Sequence, residues 1–510
     1  MPGTAESTGL EPGFSMRIIS TVGFLIPLYI VSTVLYSLYL HPLGSFPGPR
    51  TAAVTRIPFW IASLRGNEVR WLQELHKKYG PVVRFGPNDL SYTGGQAWKD
   101  IYGYQRGRKE NFKDPNFYPT TENGAPALTT LNLQEHTTVR RTIAPAFSDR
   151  ALKQQESLFQ SFANLMVEAI KKATSNGSKN PVSVDMVKIY NFTTFDIMAQ
   201  LTYGEPLGLL EASEYTPWVA LVFKSLSFFP ILQLIEYYPF LKTLFRLLEP
   251  KSVRDTRMSH YKYSADRLDK RLAKGSDQPD IWNLIMQKDG ENGEQGLLTV
   301  PQMHSNSQLF MAAGTETSAT LLSGLTYLLL TNPRSMKILT DEIRGAFKSN
   351  EQIDLDSTSR LSYLNACIEE GLRMYPPVPS GFPRMTPEGG NTIMGRWIPP
   401  GISVSVHATS SSRDPKYFKD PDTFVPERWM GDPAYKDDQR DARQPFSFGP
   451  RACLGMGMAW HEMRLLLTKV LFNFDLELCD ESRNWTDQKV YILWEKHPLM
   501  CRAVPVTTST

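Results

Sequence analysis

Ten residues near the C-terminus, Phe446-Ser447-Phe448-Gly449-Pro450-Arg451-Ala452-Cys453-Leu454-Gly455, constrain this chain more than any other stretch. One cysteine sits inside a turn-rich run, with glycine on either side of it and an arginine shortly before it. The run leads directly into a helical pattern, Met456 to Leu471. A thiolate needs such a setting to survive as an anionic ligand. The N–H groups of a tight turn can point at the sulfur, and a following helix offers its positive N-terminal end. Glycine lets backbone approach closely where a side chain would collide. A lone intracellular cysteine is more often a buried, inert thiol, but the complete decapeptide argues against that.

The run fits Phe-x-x-Gly-x-Arg-x-Cys-x-Gly at every fixed position. In this it resembles the haem-binding signature of the cytochrome P450 superfamily. The resemblance implies a fold that is mainly α with small β-sheets, preceded here by one N-terminal transmembrane helix. It implies haem b, iron protoporphyrin IX, with Cys453 as the axial iron ligand. Phe446, Gly449, Arg451 and Gly455 would complete the cofactor-binding loop. The thiolate of such proteins pushes electron density onto iron and favours O–O cleavage.

A second motif, Ala313-Gly314-Thr315-Glu316-Thr317-Ser318, lies inside a helical pattern over 301–331. Thr299-Val300-Pro301 reads as an N-cap with proline in the first turn, and Pro333 ends the pattern. A helix of that length is about 45 Å long and can cross a large domain. Glycine among threonines at its centre lowers helix propensity. A helix that merely tolerates a polar turn is the plain alternative. The motif resembles the family's oxygen-activation segment. The resemblance implies that Ala313 and Gly314 leave room for dioxygen, that Thr317 hydrogen-bonds the reduced oxygen, and that Glu316 relays protons. An ordered acid–alcohol pair suits protonation of one oxygen atom only.

Two weaker motifs gain meaning beside these. Glu370-Gly371-Leu372-Arg373 puts an acid and a base one turn apart on a helix. Pro426-Glu427-Arg428-Trp429 lies downstream. Together they resemble the family's Glu-x-x-Arg and Pro-Glu-Arg pair, which implies a buried ion triad of Glu370, Arg373 and Arg428 that holds the cysteine loop. His136 and Arg140 stand one turn apart, with histidine where many relatives have tryptophan. The resemblance makes His136, Arg140, Arg384 and Arg451 donors to the haem propionates. Taken singly, His136 and Arg384 read equally well as surface residues. By the same analogy the substrate pocket draws on Tyr102 to Tyr118, Leu221 to Tyr237, Phe310 to Ala313 and Val378 to Phe382. These segments are apolar and aromatic, which suits a lipophilic ligand.

The 510-residue length suggests about three domains. The motifs instead run from His136 to Cys453 and must meet at one cofactor, so one large catalytic domain over 51–510 is expected. It follows a short tail (1–17), a transmembrane anchor (18–40) and a proline-rich hinge (41–50). The anchor segment Ile18–Leu40 carries no charge. As a helix it spans about 35 Å, enough for a bilayer core of about 30 Å. A cleaved signal peptide would have a shorter apolar run and a small-residue cleavage site. Three prolines within His41–Pro49 predict a stiff, extended spacer. Arg50, Arg56 and Arg65 outnumber Arg17 across the anchor, which favours a cytosolic domain in the endoplasmic reticulum membrane. The sequons at Asn176, Asn191 and Asn484 are then chance matches. Net charge is +3, which gives no sign of a nucleic-acid partner, and the four cysteines contain no C-x-x-C pair.

Helical patterns are expected over 150–173, 183–203, 254–274 and 333–347, a hairpin around Gly86-Pro87-Asn88, and breaks at 275–277 and 289–296. The expected activity is that of a membrane-bound monooxygenase. It takes NADPH-derived electrons through NADPH–cytochrome P450 reductase, with cytochrome b5 as a further candidate donor. The flavour of the opening His-Pro-Leu and of Leu493 to Leu499 is that of fungal secondary-metabolite enzymes. Two rivals remain: a haem-thiolate isomerase or dehydratase acting on peroxides without a reductase, and a non-catalytic haem sensor. The intact Glu316–Thr317 pair argues against both.

Overall fold

The computed structural model describes residues 12–104, 106–118, 121–174, 183–275, 279–292 and 298–506. Helices dominate, and the strands form one five-stranded, one three-stranded and two two-stranded sheets among the described residues. The helix Val300–Leu330 is the axis of the fold. Thr299 and Gln302 cap it reciprocally, with Pro301 in its first turn. Its apolar faces bury Leu321, Leu322, Leu325 and Leu329 completely. Each such side chain contributes about 1.5–3 kcal/mol. The helix Met186–Tyr203 lies against it, and two glycines set how closely neighbours approach. A β-carbon on Gly314 would stand 2.6 Å from Met198 Sδ, and one on Gly324 would stand 2.2 Å from the Tyr375 ring.

The expected helices are present, with instructive differences at their ends. The pattern over 183–203 begins as a strand, Ser183–Asp185, which pairs with Met500–Arg502. Asp185 then accepts the Val187 N–H and starts the helix. The break expected from Asp289 is displaced: the helix Ile281–Asn292 runs through Asp289 and Gly290, and 293–297 lie outside the described residues. Lys251–Lys274 stops at Gly275, whose φ is +63°. Ser276, Asp277 and the sequon at Asn176 also lie outside the described residues.

The hairpin Val82–Gly86 and Asp89–Tyr92 forms as expected and pairs onward with Ser403–Val406, Arg384–Met385 and Phe112–Lys113. At the N-terminus, Pro12–Leu35 is α-helical despite Pro27, and Tyr36–Leu40 continues it as a π-turn. Within it, Gly23–Leu40 has a mean hydropathy of 1.7 and is almost wholly exposed. That is one helix long and apolar enough to cross a membrane. The proline-rich segment after it is not a free spacer. Leu43 is fully buried beside Leu90, Tyr92 and Ile402, and Arg84 N–H donates to Pro47 O at 2.7 Å. Apolar residues among the prolines dock the hinge onto the sheet.

Candidate active site

The cysteine loop is built by two left-handed residues, Ser447 at φ +63° and Gly449, and one crossing. Gly449, at φ +77°, opens a tight turn through Arg451. A β-carbon there would come within 2.2 Å of Tyr102 O, so only glycine fits. Cys453 N–H donates to Phe446 O at 2.8 Å and closes the loop, and the Phe446 ring packs against the main core. Gly455 differs from expectation. Its φ is −86° and its missing side chain would meet no protein atom within 4 Å. Packing within the chain does not demand glycine at that position.

Cys453 is exposed, whereas Cys367 and Cys501 are buried and Cys479 is half-buried. Burial of its surroundings pushes the Cys453 thiol up, against the pull of the Gly455 N–H and the Arg140 charge. The helix Met456–Asn473 begins three residues after the sulfur, so the two anion-stabilising features expected from sequence are both in place.

A constellation of basic side chains surrounds this loop. His136 and Arg140 lie on Leu133–Ile143, which Asn132 caps through the Glu135 N–H. Arg140 donates to Ala452 O at 2.8 Å. Arg451 donates to Glu110 at 2.6 Å and to Leu131 O at 2.9 Å. Arg384 reaches Glu110 only at 3.8 Å. Lys113, which sequence reasoning missed, stands directly opposite Arg384 across two strands. Like charges directly opposite in a sheet are destabilising unless an anion joins them. Burial, then Arg384 and Arg451, push Lys113 down to about 6. Burial, then Arg451, Arg140, Lys113 and Arg384, push His136 down to about 4. Arg384 Nε and Nη1 and His136 Nδ1 are buried without a hydrogen-bond partner. Glu110 is the one carboxylate among these groups. The donor set fits a ligand with two carboxylates beside the cysteine, as haem with its propionates provides.

The long helix shows its polar turn in two directions. Ala312 and Ala313 are exposed, and Gly314 and Thr317 half-buried, between Met311 and Ser318, which are both buried. Such exposure in mid-helix marks a hollow. Thr317 donates its hydroxyl to Ala313 O at 2.7 Å. The room that Gly314 leaves is taken on its own side by Met198. Glu316 does not hydrogen-bond Thr317: adjacent residues of a helix point about 100° apart. Its carboxylate is buried and paired with Lys496, a partner no local pattern announces.

The triad is realised and is larger than expected. Arg373 binds Glu370 with two hydrogen bonds, 2.8 and 2.7 Å, and Arg428 Nε donates to the same carboxylate at 3.0 Å. Trp429 Nε1 and Val425 N–H add 2.9 Å bonds to it. Asp438 pairs with Arg428, so two buried cations face two carboxylates. Burial alone would raise the Glu370 carboxyl; Arg373, Arg428 and the Val425 N–H bring it below its ordinary value. Arg373 also donates to Ser412 O and Thr423 O, which ties the segment leading to Cys453 to the helix Ser362–Met374.

Three of the four expected pocket segments meet. Phe117 packs on Phe229 at 5.9 Å and on Phe382 at 6.0 Å, and Tyr118 stacks on Phe382 at 6.4 Å. A cavity lined by Phe59, Trp60, Phe117, Tyr237, Pro383 and His407 adjoins this cluster. Phe310 instead packs on Phe147 and Trp282 in the core. Tyr102 is buried in the separate cluster around Leu90 and Trp98, with its hydroxyl donating to Phe382 O at 2.8 Å.

Comparison with known proteins agrees with this geometry. The family model described as Cytochrome P450 matches residues 47–501. Cytochrome P450 monooxygenase efuB of Hormonema carpetanum is 46% identical over 493 residues, 96% of this chain and 97% of that protein. Cytochrome P450 monooxygenase FUM2 of Gibberella moniliformis is 44% identical over 470 residues, covering 92% and 99%. An averantin hydroxylase of Dothistroma septosporum is 39% identical over 484 residues, covering 94% and 90%.

Proposed function

The chain belongs to the cytochrome P450 family, and from that premise we propose that it is a membrane-anchored monooxygenase of the kind fungi use in secondary metabolism. It inserts one atom of dioxygen into a lipophilic small molecule and releases the other as water. Haem b, reduced by NADPH-derived electrons through a reductase, is the cofactor of this family. When bound it supplies the oxygen activation and the oxidising chemistry. The observation that carries the reading is the set of buried, unpartnered nitrogens of Arg384 and His136 beside one exposed cysteine.

The chain's own residues have separable tasks. Cys453 would hold the iron. Arg140, Arg384, Arg451, His136 and Lys113 would hold the propionates, which would also relieve the opposition of Lys113 and Arg384. The exposed Ala312 and Ala313, with the half-buried Thr317, would line one wall of the haem cleft and the Cys453 sulfur the other. The aromatic cluster of Phe117, Tyr118, Phe229 and Phe382 keeps that cleft dry and receives an apolar ligand. Thr317, its hydroxyl donating to Ala313 O, keeps its oxygen free to accept a further hydrogen bond and would order proton transfer there.

Thr317→Ala tests the assignment. It removes a hydroxyl and little volume, so haem content and thermal stability should be unchanged. With purified reductase, hydrogen peroxide released per NADPH consumed should rise toward stoichiometric release. Positioned acid–base groups supply about 10²–10⁴-fold, so productive reduction should collapse rather than decline. An unchanged peroxide yield would make Thr317 an ordinary helix residue.

We assign the catalytic domain to the cytosolic face of the endoplasmic reticulum membrane, with NADPH–cytochrome P450 reductase as its electron donor and cytochrome b5 as a further one. Supporting this, the Asn191 sequon is buried inside a helix at 2% exposure, with its amide donating to the Tyr215 hydroxyl. No glycan fits there. The anchor is separable, but only at the right place. A chain beginning at His41 should lose tight membrane attachment and keep its haem. A chain beginning at Phe46 also loses the buried Leu43, about 1.5–3 kcal/mol, and should melt lower. Loss of haem from the His41 chain would make the anchor part of the folded core.

A further inference from the structure

The cavity beside the aromatic cluster is not apolar throughout. Three residues that line it, Arg56, Trp60 and His407, each hold a buried nitrogen with no protein partner: Nε, Nε1 and Nε2 respectively. Trp60 and His407 are only 5% and 1% exposed. All three nitrogens are donors. The indole and guanidinium N–H groups can be nothing else. His407 Nδ1 accepts the Ser410 N–H at 3.1 Å. Burial, then His76, hold the His407 ring well below its ordinary value, so it is neutral. Its one ring proton is therefore on Nε2. Arg56 is fixed by its surroundings. Its guanidinium lies over Tyr237 at 4.4 Å, Phe59 at 4.7 Å and Trp60 at 5.0 Å, and Nη2 pairs with Asp89 at 3.4 Å.

Buried donors cost free energy unless an acceptor meets them. The carboxylates that line the cavity already have donors. Asp114 takes the Ser403 hydroxyl at 2.7 Å and the Asn116 N–H at 2.9 Å, and Glu68 takes the Ser63 hydroxyl at 3.2 Å. These groups also decide which acceptor is welcome. Asp89, Asp114 and Glu68 all lie within electrostatic reach of Arg56, so one guanidinium already answers three carboxyl groups. A carboxylate ligand would add like charge beside them. A carbonyl oxygen brings two lone pairs and no charge. We propose that this cavity binds a neutral carbonyl at one end of the substrate, with Trp60 and His407 as its donors, while the apolar body lies among Phe117, Phe229 and Phe382. This rests on the monooxygenase reading and narrows its substrate from any lipophile to one that already carries a ketone or ester. Phe117 lines the cavity and packs on Phe382, and Gly381 and Pro383, on either side of Phe382, line it too. The polar wall and the aromatic cluster are therefore contiguous. Trp60 and His407 touch the far end of the substrate and no reacting atom, so they set specificity.

Three probes of similar shape separate the acceptors: naphthalene, naphthyl methyl ketone and naphthoate. Their binding to the full-length, haem-loaded protein is read by equilibrium dialysis. The ketone should bind about two- to tenfold tighter than naphthalene, the range of one net hydrogen bond, and naphthoate no tighter than naphthalene. Trp60→Phe keeps an aromatic ring and removes the indole N–H. His407→Asn keeps an acceptor for the Ser410 N–H, since asparagine is a favoured helix cap, and removes Nε2. In each variant the ketone should fall toward the affinity of naphthalene, while naphthalene binding and haem content stay as in wild type. A side chain that only packs would weaken both probes alike. If His407→Asn does not retain haem, Trp60→Phe decides alone. A ketone bound no tighter than naphthalene by the wild type would overturn the proposal and leave the cavity to water, as would an advantage that survives in Trp60→Phe and His407→Asn alike. Naphthoate bound tightest would overturn the neutral-carbonyl class. No turnover enters these measurements, so the peroxide yield of Thr317→Ala tests the monooxygenase reading separately.

Discussion

Cys453→Ser should yield a protein whose reduced, carbon-monoxide-treated form lacks the strongly red-shifted Soret band of thiolate ligation, and whose NADPH-driven turnover is abolished. The loop should survive the change. What closes it is a backbone bond, Cys453 N–H to Phe446 O, together with the glycine turn at Gly449. Serine preserves both and removes only the soft, electron-donating sulfur. No other cysteine can take its place. Cys367 is sealed in the core with its thiol held well above the ordinary range by burial, and Cys501 is pushed up to about 12 for the same reason. Cys479 lies on the three-stranded sheet side of the chain, where Cys479 N–H bonds Met500 O. Cys453→His offers a nitrogen ligand and should bind haem with a different spectrum. A thiolate band in either variant would remove Cys453 from the centre of the site.

The second large effect is expected at the buried ion cluster. Glu370→Ala, Arg373→Ala and Arg428→Ala should each give protein that does not retain haem. Removing one member of a buried, hydrogen-bonded pair typically costs about 3–5 kcal/mol, because the partner charge stays behind. Domain stability is about 5–15 kcal/mol in total, so that loss is a large share. Glu370→Ala should be the most severe. Its carboxylate receives Arg373, Arg428, Trp429 Nε1 and the Val425 N–H, and all four would lose their acceptor. Arg373→Lys should rescue little, since lysine cannot reproduce the two-point contact with Glu370 while also reaching Ser412 O and Thr423 O. Haem content after gel filtration is the measurement. Normal content in all three alanine variants would mean the cluster does not hold the cysteine loop.

The parts of the site that could be read from sequence are those whose geometry is local. The Cys453 turn, the capped helix from Thr299 and the Glu370–Arg373 pair each rest on fixed spacings within one element. The residues that escaped reading depend on which segments meet, something no spacing within one element reveals. Lys113 matters because strand register sets it against Arg384. Lys496 matters because a segment 180 positions away folds over Glu316. Asp438 was invisible for the same reason: it completes the charge balance of Arg428 from a loop without periodicity. The fold followed the same rule. Long periodic helices were legible. The docking of Leu43 beneath the sheet was not, because proline content predicts stiffness and says nothing about what an intervening leucine touches. The motif glycines divide similarly. Gly449 is required by a backbone crossing, Gly314 by Met198, and Gly455 by no atom of the chain itself.

The facing of Lys113 and Arg384 has a consequence for the life of the protein in the cell. In newly made chain the Lys113 amine and the Arg384 guanidinium are held opposite each other at a sheet edge, beside Arg384 and His136 nitrogens that no protein group satisfies, and burial with Arg384 holds the amine down to about 6. A ligand that binds only the folded form raises stability by mass action, and a carboxylate joining Lys113 and Arg384 would let both carry their charge. Folding and cofactor uptake are therefore one equilibrium. The yield of folded protein should therefore follow the supply of porphyrin and iron.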